Sequence, residues 1–382
     1  MEKLFYQDPE IKEFTAVVTG CQRAETGWEV TLDATAFYPT GGGQACDLGT
    51  LGNANVLDVS ERGEEIIHLC DGPFEVGSAV TGKIDWARRF DLMQQHTGEH
   101  IVSGIIHKLY GHQNSGFHVG EELMEVDFDG PLPEGALEEI QRLANEAVWA
   151  DYPVNCYVPS PEELPGVVYR TKRELPWPVR IVEIPGVDVC ACCAPHVKTT
   201  GEIGIIEVVS FEKYKGGTRV SILCGERALS DIRAKLNENR KISALTCAKQ
   251  KETAKAVERL KQENENLKYE ITGLNREILS SMADTIEPQD KIITFDKRLE
   301  GKLLIDFTIS LMGKAGKFAS SFCGENESYR YCIASNNVDL RPLSKAINEA
   351  FSGRGGGKPE IVQGSLCGTQ TEIEKFLSEY EI

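Results

Sequence analysis

The sequence has no apolar run near the roughly eighteen residues that a membrane-spanning helix needs, which argues against a helical membrane protein. Its first residues, MEKLFYQDPEIKEF, lack the basic head and apolar run of a secretory leader, so a cytoplasmic protein with no membrane partner is expected. Basic residues are scarce: 41 Lys+Arg stand against 59 Asp+Glu, a formal charge of −18. That balance alone argues against nucleic acid, but its distribution does not. Residues 1–225 hold 17 Lys+Arg and 35 Asp+Glu, whereas 226–382 hold 24 of each. Any RNA contact is therefore expected to be local and salt-sensitive. The 12 cysteines are spread over 382 residues rather than packed into a short secreted chain. Reduced thiols are expected, and Cys beside His suggests a metal.

Length points to several domains, and the pattern to an α+β multidomain chain. Residues 1–85 read as short alternating segments broken by glycine ("GWEVTLDATAFYP", "ANVLDVSERGEEIIHLC"), the signature of a small β-barrel or sandwich. From 86 to 225 an α+β domain is expected. It holds a long helix ending at Gly111, a helix over "EGALEEIQRLANEAVWADY", and strands at "MEVDFDG", "GVVYRTK", "VRIVEI" and "IGIIEVVSFEKYKGGTRVSILCG". Proline is missing from 226–285 and glycine occurs there once, so 226–287 is expected to be helical. Val257, Leu260, Leu267, Ile271, Leu274 and Ile278 alternate by threes and fours, with Asn264 in the remaining slot. This is a heptad seam of about three repeats with one polar position. An antiparallel hairpin within one chain fits it as well. Residues 288–382 alternate strands and helices as a compact α/β module containing the glycine-rich "SGRGGGKPE".

Three segments carry chemistry. "QQHTGEH" places His96 and His100 one turn apart on a helix, so both rings face one side. "CACCAPH" places Cys192 and His196 four apart, with Cys190 and Cys193 beside them. Such a Cys and His set suits zinc; three ligands with an open position would make the site catalytic, and four would close it as structural. "HTGEH" also satisfies H-x-x-E-H, in which Glu99 would be the base of a zinc peptidase; a solvated or salt-bridged glutamate is the plainer reading. Thr97 reads as a helix-packing residue. The third segment, "FYPTGGGQACDLG", is neither a Walker loop nor a dinucleotide fingerprint. Its glycines permit positive φ and close approach of amides to a ligand, and Gln44, Thr35 or Thr40 can read a polar group. In the tail, Arg354 and Lys358 flank three glycines and could meet phosphates; a turn with solvated charges is the alternative.

In this order and spacing, "FYPTGGGQ", "HTGEH", "CCAPH" and, after a long helical stretch, "GRGGGKP" resemble the editing domain of alanyl-tRNA synthetases and the free-standing alanyl-tRNA editing proteins called AlaX, in their long form. The resemblance covers nearly the whole chain. It implies a zinc site of His96, His100, Cys192 and His196, although the usual C-G-G-T-H is C-C-A-P-H here. It implies a substrate-reading loop of Gly41, Gly42, Gly43 and Gln44, beside which Thr40 is a further candidate for binding substrate. It also implies hydrolysis of serine, and of glycine, misattached to tRNA(Ala), without any aminoacylation module. Residues 86–225 would be the zinc-dependent editing domain, and 288–382 a tRNA-binding and dimerisation domain in which Arg354 and Lys358 touch tRNA and which supports a homodimer. Zinc would polarise the ester carbonyl and activate water, or hold the substrate. A zinc peptidase and a non-catalytic RNA-binding protein with structural zinc are the alternatives.

Overall fold

A computed structural model describes all residues except 121, 172–174, 176, 326 and 382. The chain falls into two compact units, residues 1–241 and 242–382.

The first unit opens with six strands: β1 (Glu13–Ala24), β2 (Gly27–Leu32), β3 (Gly49–Leu51), β4 (Ala54–Arg62), β5 (Glu65–Cys70) and β6 (Ala79–Ile84). They close in the order β1-β2-β5-β4-β3-β6. Alternation explains the closure: along β1, Phe14, Ala16 and Val18 are buried while Glu13, Thr15 and Val17 face out. Inside, they pack with Val30, Leu32, Phe37, Val59 and Ile66.

The long helix α1 (Trp86–Tyr110) follows, capped by the Asp85 carboxylate accepting from Arg88 N–H and ended by Gly111 at φ 74°. After it come β7 (Asn114–Val119), β8 (Met124–Phe128), α2 (Ala136–Trp149), β9 (Asn155–Tyr157), β10 (Ile181–Ile184), β11 (Asp188–Ala191), β12 (Ile206–Tyr214) and β13 (Gly217–Cys224). Strands 12-13-8-7 form one sheet and 9-10-11 another. The expected strand at "GVVYRTK" does not form. Residues 164–166 make a 3-10 turn, and Arg170 keeps only a single bridge to Cys190. Lys172 lies outside the described residues.

Two glycines let α1 sit close to its neighbours. A Cβ on Gly98 would lie 2.2 Å from Cys224 Sγ, and one on Gly104 would lie 2.5 Å from the Val187 carbonyl oxygen. The second approach brings β11 against the helix. A buried ion pair fixes the other side: Arg89 Nε donates to Asp47 Oδ1 at 2.7 Å, and its two terminal nitrogens reach the Pro9 and Ala36 carbonyls. Asp47 Oδ2 accepts from Tyr38 N–H. Arg89 and Asp47 therefore peg the 37–47 loop to α1, because breaking either partner would leave a charge in the core.

α3 (Gly225–Thr246) leads out of this unit, and the second contains α4 (Thr253–Thr285), β14 (Gln289–Phe295), α5 (Lys302–Leu311), β15 (Ala315–Glu325), β16 (Ser328–Ala334), α6 (Arg341–Ala350), β17 (Arg354–Lys358), β18 (Ile361–Cys367) and α7 (Gln370–Glu379). Its sheet runs β14-β15-β16-β18-β17. The glycine-rich segment is thus the edge strand β17 rather than a turn. On α4 the six apolar seam residues are 43–56% exposed, so nothing in one chain covers them among the described residues.

Candidate metal centre and pocket

The centre of α1 is polar yet buried. His96, Thr97, Glu99, His100 and Ser103 are all at most 3% exposed. Buried polar groups persist only when each finds a partner, and their partners come from three other segments.

His96 and His100, one helical turn apart, stack with ring centroids 5.6 Å apart. Each lies 4.9 Å from the His196 ring. Cys192 Sγ is 3.4 Å from Nε2 of both His96 and His196. All four donor atoms lie within 4.8 Å of one another. The spacing fits an ion: ligands at about 2.05 Å (N) and 2.3 Å (S) on one tetrahedral centre stand roughly 3.5 Å apart.

The outer nitrogens are engaged as a metal set requires. His96 Nδ1 donates to Gln44 Oε1 at 2.9 Å, His100 Nδ1 to Asp188 Oδ2 at 2.9 Å, and His196 Nδ1 meets Thr97 Oγ1 at 3.1 Å. Each partner turns Nε2 inward, and the Gln44 and Asp188 oxygens, which only accept, also fix the tautomer of His96 and His100. Gln44 therefore orients His96, and Thr97 orients His196 rather than merely packing. Charge runs the same way. Burial would raise the Cys192 thiol, but His96 and His196 outweigh it and hold it well below its ordinary range. Burial pushes His196 down to about 3, so it stays neutral. Burial would also lower His100, but Asp188 and the neighbouring thiols outweigh it and hold it well above its ordinary value. A thiolate beside a neutral imidazole is what a cation binds, at the cost of one proton from His100.

A pocket of about 930 Å³ opens over this cluster, lined among others by Gly42, Gly43, Glu99, Asn114, Phe117 and Arg180. Gly42 and Gly43 turn at φ 57° and 83°. Gly41 and Gln44 exchange backbone bonds at 3.0 and 3.1 Å, closing the turn that carries Gln44 inward. Gln44 is 2% exposed, and its Nε2 has no partner among the described residues. Thr40 is exposed; its hydroxyl accepts from Cys46 N–H at 3.1 Å, bracing the loop. Thr35 is bound to His68 inside the barrel at 2.8 Å. Glu99 is not solvated: it is 3% exposed and lines the pocket, because α1 is packed on all sides here. Arg354 and Lys358 belong to the second unit, four apart on one face of the exposed β17.

Sequence reasoning missed Asp188, Arg170, Asn114, Ser103 and Phe117. None sits in a motif; Ser103 follows Glu99 by one turn of α1, and tertiary packing brings the others here.

Residues 179–221 match the family described as the threonyl and alanyl tRNA synthetase second additional domain. This stretch spans β10 to most of β13 and includes Cys192 and His196. The alanyl-tRNA editing protein AlaX-L of Pyrococcus horikoshii is 28% identical over 100% of this chain and 100% of its own. The alanyl-tRNA editing protein Aarsd1-A of Xenopus laevis is 27% identical over 94% of this chain and 90% of its own. An alanine–tRNA ligase of Ignicoccus hospitalis is 28% identical over 99% of this chain, which spans only 42% of that enzyme. The chain is thus similar to alanyl-tRNA editing proteins over nearly its full length.

Proposed function

We propose that the protein is a zinc-dependent hydrolase that removes serine, and also glycine, from misacylated tRNA(Ala), acting in trans without aminoacylation. The observation that carries this reading is the convergence of His96, His100, Cys192 and His196 on one point, three of them (His96, His100 and Cys192) lining a pocket of about 930 Å³. Full-length similarity to alanyl-tRNA editing proteins supports it.

His96, His100, Cys192 and His196 would hold the zinc. When bound, it would supply Lewis-acid polarisation of the ester carbonyl. With four protein donors it would reach the carbonyl only by expanding to a fifth ligand, so orientation of the substrate falls to the pocket's own groups. Gln44 is committed to His96 through Oε1, which leaves its N–H groups for the serine hydroxyl. An apolar pocket separates serine from alanine poorly, whereas a buried donor left unpaired by alanine discriminates strongly. The Gly42–Gly43 turn leaves room for the ester to lie against backbone.

The remaining assignments follow the same reading. Residues 1–85 form the barrel, 86–225 the editing part, 226–287 the helices, and 288–382 the tRNA-binding and dimerisation module. Arg354 and Lys358 would contact phosphates beside a shallow pocket of about 420 Å³ lined by Arg341, Lys345 and Gly355–Gly357. The protein would be a cytoplasmic homodimer. The peptidase reading finds no support, because the residues joining the helical pair are Cys192 and His196 from the loop after β11.

The test is release of serine from Ser-tRNA(Ala), with Ala-tRNA(Ala) as control, by zinc-loaded wild type and His100→Ala. Release of serine alone, abolished in the variant, is expected. No release by loaded wild type would leave a structural-zinc RNA-binding protein as the better account.

A further inference from the structure

We propose that Glu99 and Asn114 form a subsite for the α-ammonium group of the aminoacyl ester, so that the protein acts on esters with a free amine and spares those without one. This rests on the deacylase reading and adds to it residues that neither the metal set nor the glycine loop includes.

Glu99 lies on α1 between the two helical histidines and lines the pocket, 3% exposed. Its Oε1 is fixed, accepting from Ser103 Oγ and from Asn114 Nδ2, each at 2.5 Å. Its Oε2 has His100 Nε2 3.9 Å away and accepts no hydrogen bond among the described residues. A buried carboxylate normally requires a cation. His100 Nε2, at 3.9 Å, is beyond hydrogen-bond reach and faces the metal set, and Arg170 spends both arms on Asp188, at 2.7 and 2.8 Å.

Asn114 supplies the second acceptor. It is 7% exposed, its amide nitrogen is used by Glu99 and by Ser103 Oγ at 3.5 Å, and its Oδ1 has no partner among the described residues. Flipping the amide would not relieve this, because Oδ1 would then face the Glu99 carboxylate. The pocket wall beside the metal donors therefore presents two acceptors, Glu99 Oε2 and Asn114 Oδ1, that no donor among the described residues reaches within hydrogen-bond distance. An ammonium with three N–H groups satisfies both; a hydroxyl or a carbonyl oxygen does not. In an aminoacyl ester the α-ammonium is one carbon from the scissile carbonyl, so a group placed here would set that carbonyl against the metal cluster.

The experiment compares full-length, zinc-loaded protein on Ser-tRNA(Ala) and on the same tRNA carrying 3-hydroxypropanoate, which is serine with hydrogen in place of the amine. Wild type and Glu99→Gln are assayed for kcat and KM, and bound zinc is measured for both. The two esters differ in intrinsic lability, but that difference cancels between the enzymes. Wild type should favour the seryl ester over the other by about tenfold or more beyond the ratio shown by Glu99→Gln, the size expected for a charged hydrogen bond. The change should lie mainly in KM for the seryl ester. Asn114→Ala should move the ratio in the same direction. An unchanged ratio in a Glu99→Gln protein that keeps its zinc would overturn the subsite while leaving the deacylase intact. If that variant loses zinc, Asn114→Ala decides: an unchanged ratio there overturns the subsite, a reduced one supports it. No hydrolysis of either ester by wild type would overturn both.

Discussion

Asp188 Oδ2 lies 2.9 Å from His100 Nδ1, and the same carboxylate accepts both arms of Arg170. Burial would raise this carboxyl, but His100 and Arg170 outweigh it and hold it down to about 2. Asp188 is thus a fixed anion that orients a metal-set imidazole. Asp188→Asn should weaken metal binding by roughly 10–100-fold, the usual cost of losing such a partner. Competition with a chromophoric chelator measures it, and an unchanged affinity would remove this role.

The two adjacent thiols should separate cleanly. Cys192 Sγ faces two imidazoles at 3.4 Å. Cys193 is exposed and points past the glycine turn, where a Cβ on Gly42 would lie 3.7 Å from its sulfur. Cys192→Ser should lower metal affinity by more than the roughly 100-fold that a supporting residue costs, whereas Cys193→Ser should retain its metal. Elemental analysis after dialysis distinguishes them, and the opposite pattern would reassign the ligand.

Gly43 and Gly41 predict a contrast within one loop. Gly43 stands at φ 83°, and a Cβ there would lie 2.8 Å from the Phe117 ring, which packs 4.8 Å from the His96 ring. A Cβ on Gly41 meets nothing closer than 3.5 Å. Gly43→Ala should cost about 1–3 kcal/mol through backbone strain, whereas Gly41→Ala should be nearly neutral. Urea melts of the two variants check this.

His68 gives a pH dependence. Burial in the barrel pushes its imidazole down to about 4 from the ordinary 6.5, against the pull of the Val30 carbonyl. The unfolded chain then binds more protons than the native one between pH 6.5 and 4. Stability should fall as pH drops through that window and level off below it, by up to about 3 kcal/mol from this group. His68→Gln should flatten the difference. Equal slopes for wild type and variant would show that His68 does not titrate this way.

On α4, Val257, Ile271 and Ile278 share one heptad position with Asn264, and Leu260, Leu267 and Leu274 fill the other. β-Branched residues at the first position with leucine at the second favour two parallel strands, and a single asparagine fixes their register. A dimer through this exposed seam is expected in sedimentation at micromolar concentration. Leu267→Ala removes a packed leucine from both helices and should raise its Kd at least about thirtyfold, ~2 kcal/mol. A monomeric wild type would refute it.

Much of the first unit was legible from order alone. Alternation in residues 13–84 and the long apolar-and-polar run after Asp85 set strands and helix, since side-chain period follows backbone geometry. The i,i+4 spacing of His96 with His100 likewise fixes a common face before any packing is known. That Glu99 is buried rather than solvated was not legible for a physical reason: a helical period says which way a residue points, not whether another element covers that direction.

The sequence by itself determined the helix that pairs His96 with His100, the loop that pairs Cys192 with His196, and the glycines that turn inward ahead of Gln44, because each is a local matter of spacing and allowed φ. Only the tertiary structure decided that the two pairs share one centre and that Asp188, Thr97 and Gln44 hold the three imidazoles. It alone showed Glu99 and Asn114 facing the pocket with acceptors unmet. Those relations join residues up to about a hundred positions apart, and they depend on how closely Gly98 and Gly104 let the helix approach its neighbours and on the buried Arg89–Asp47 pair.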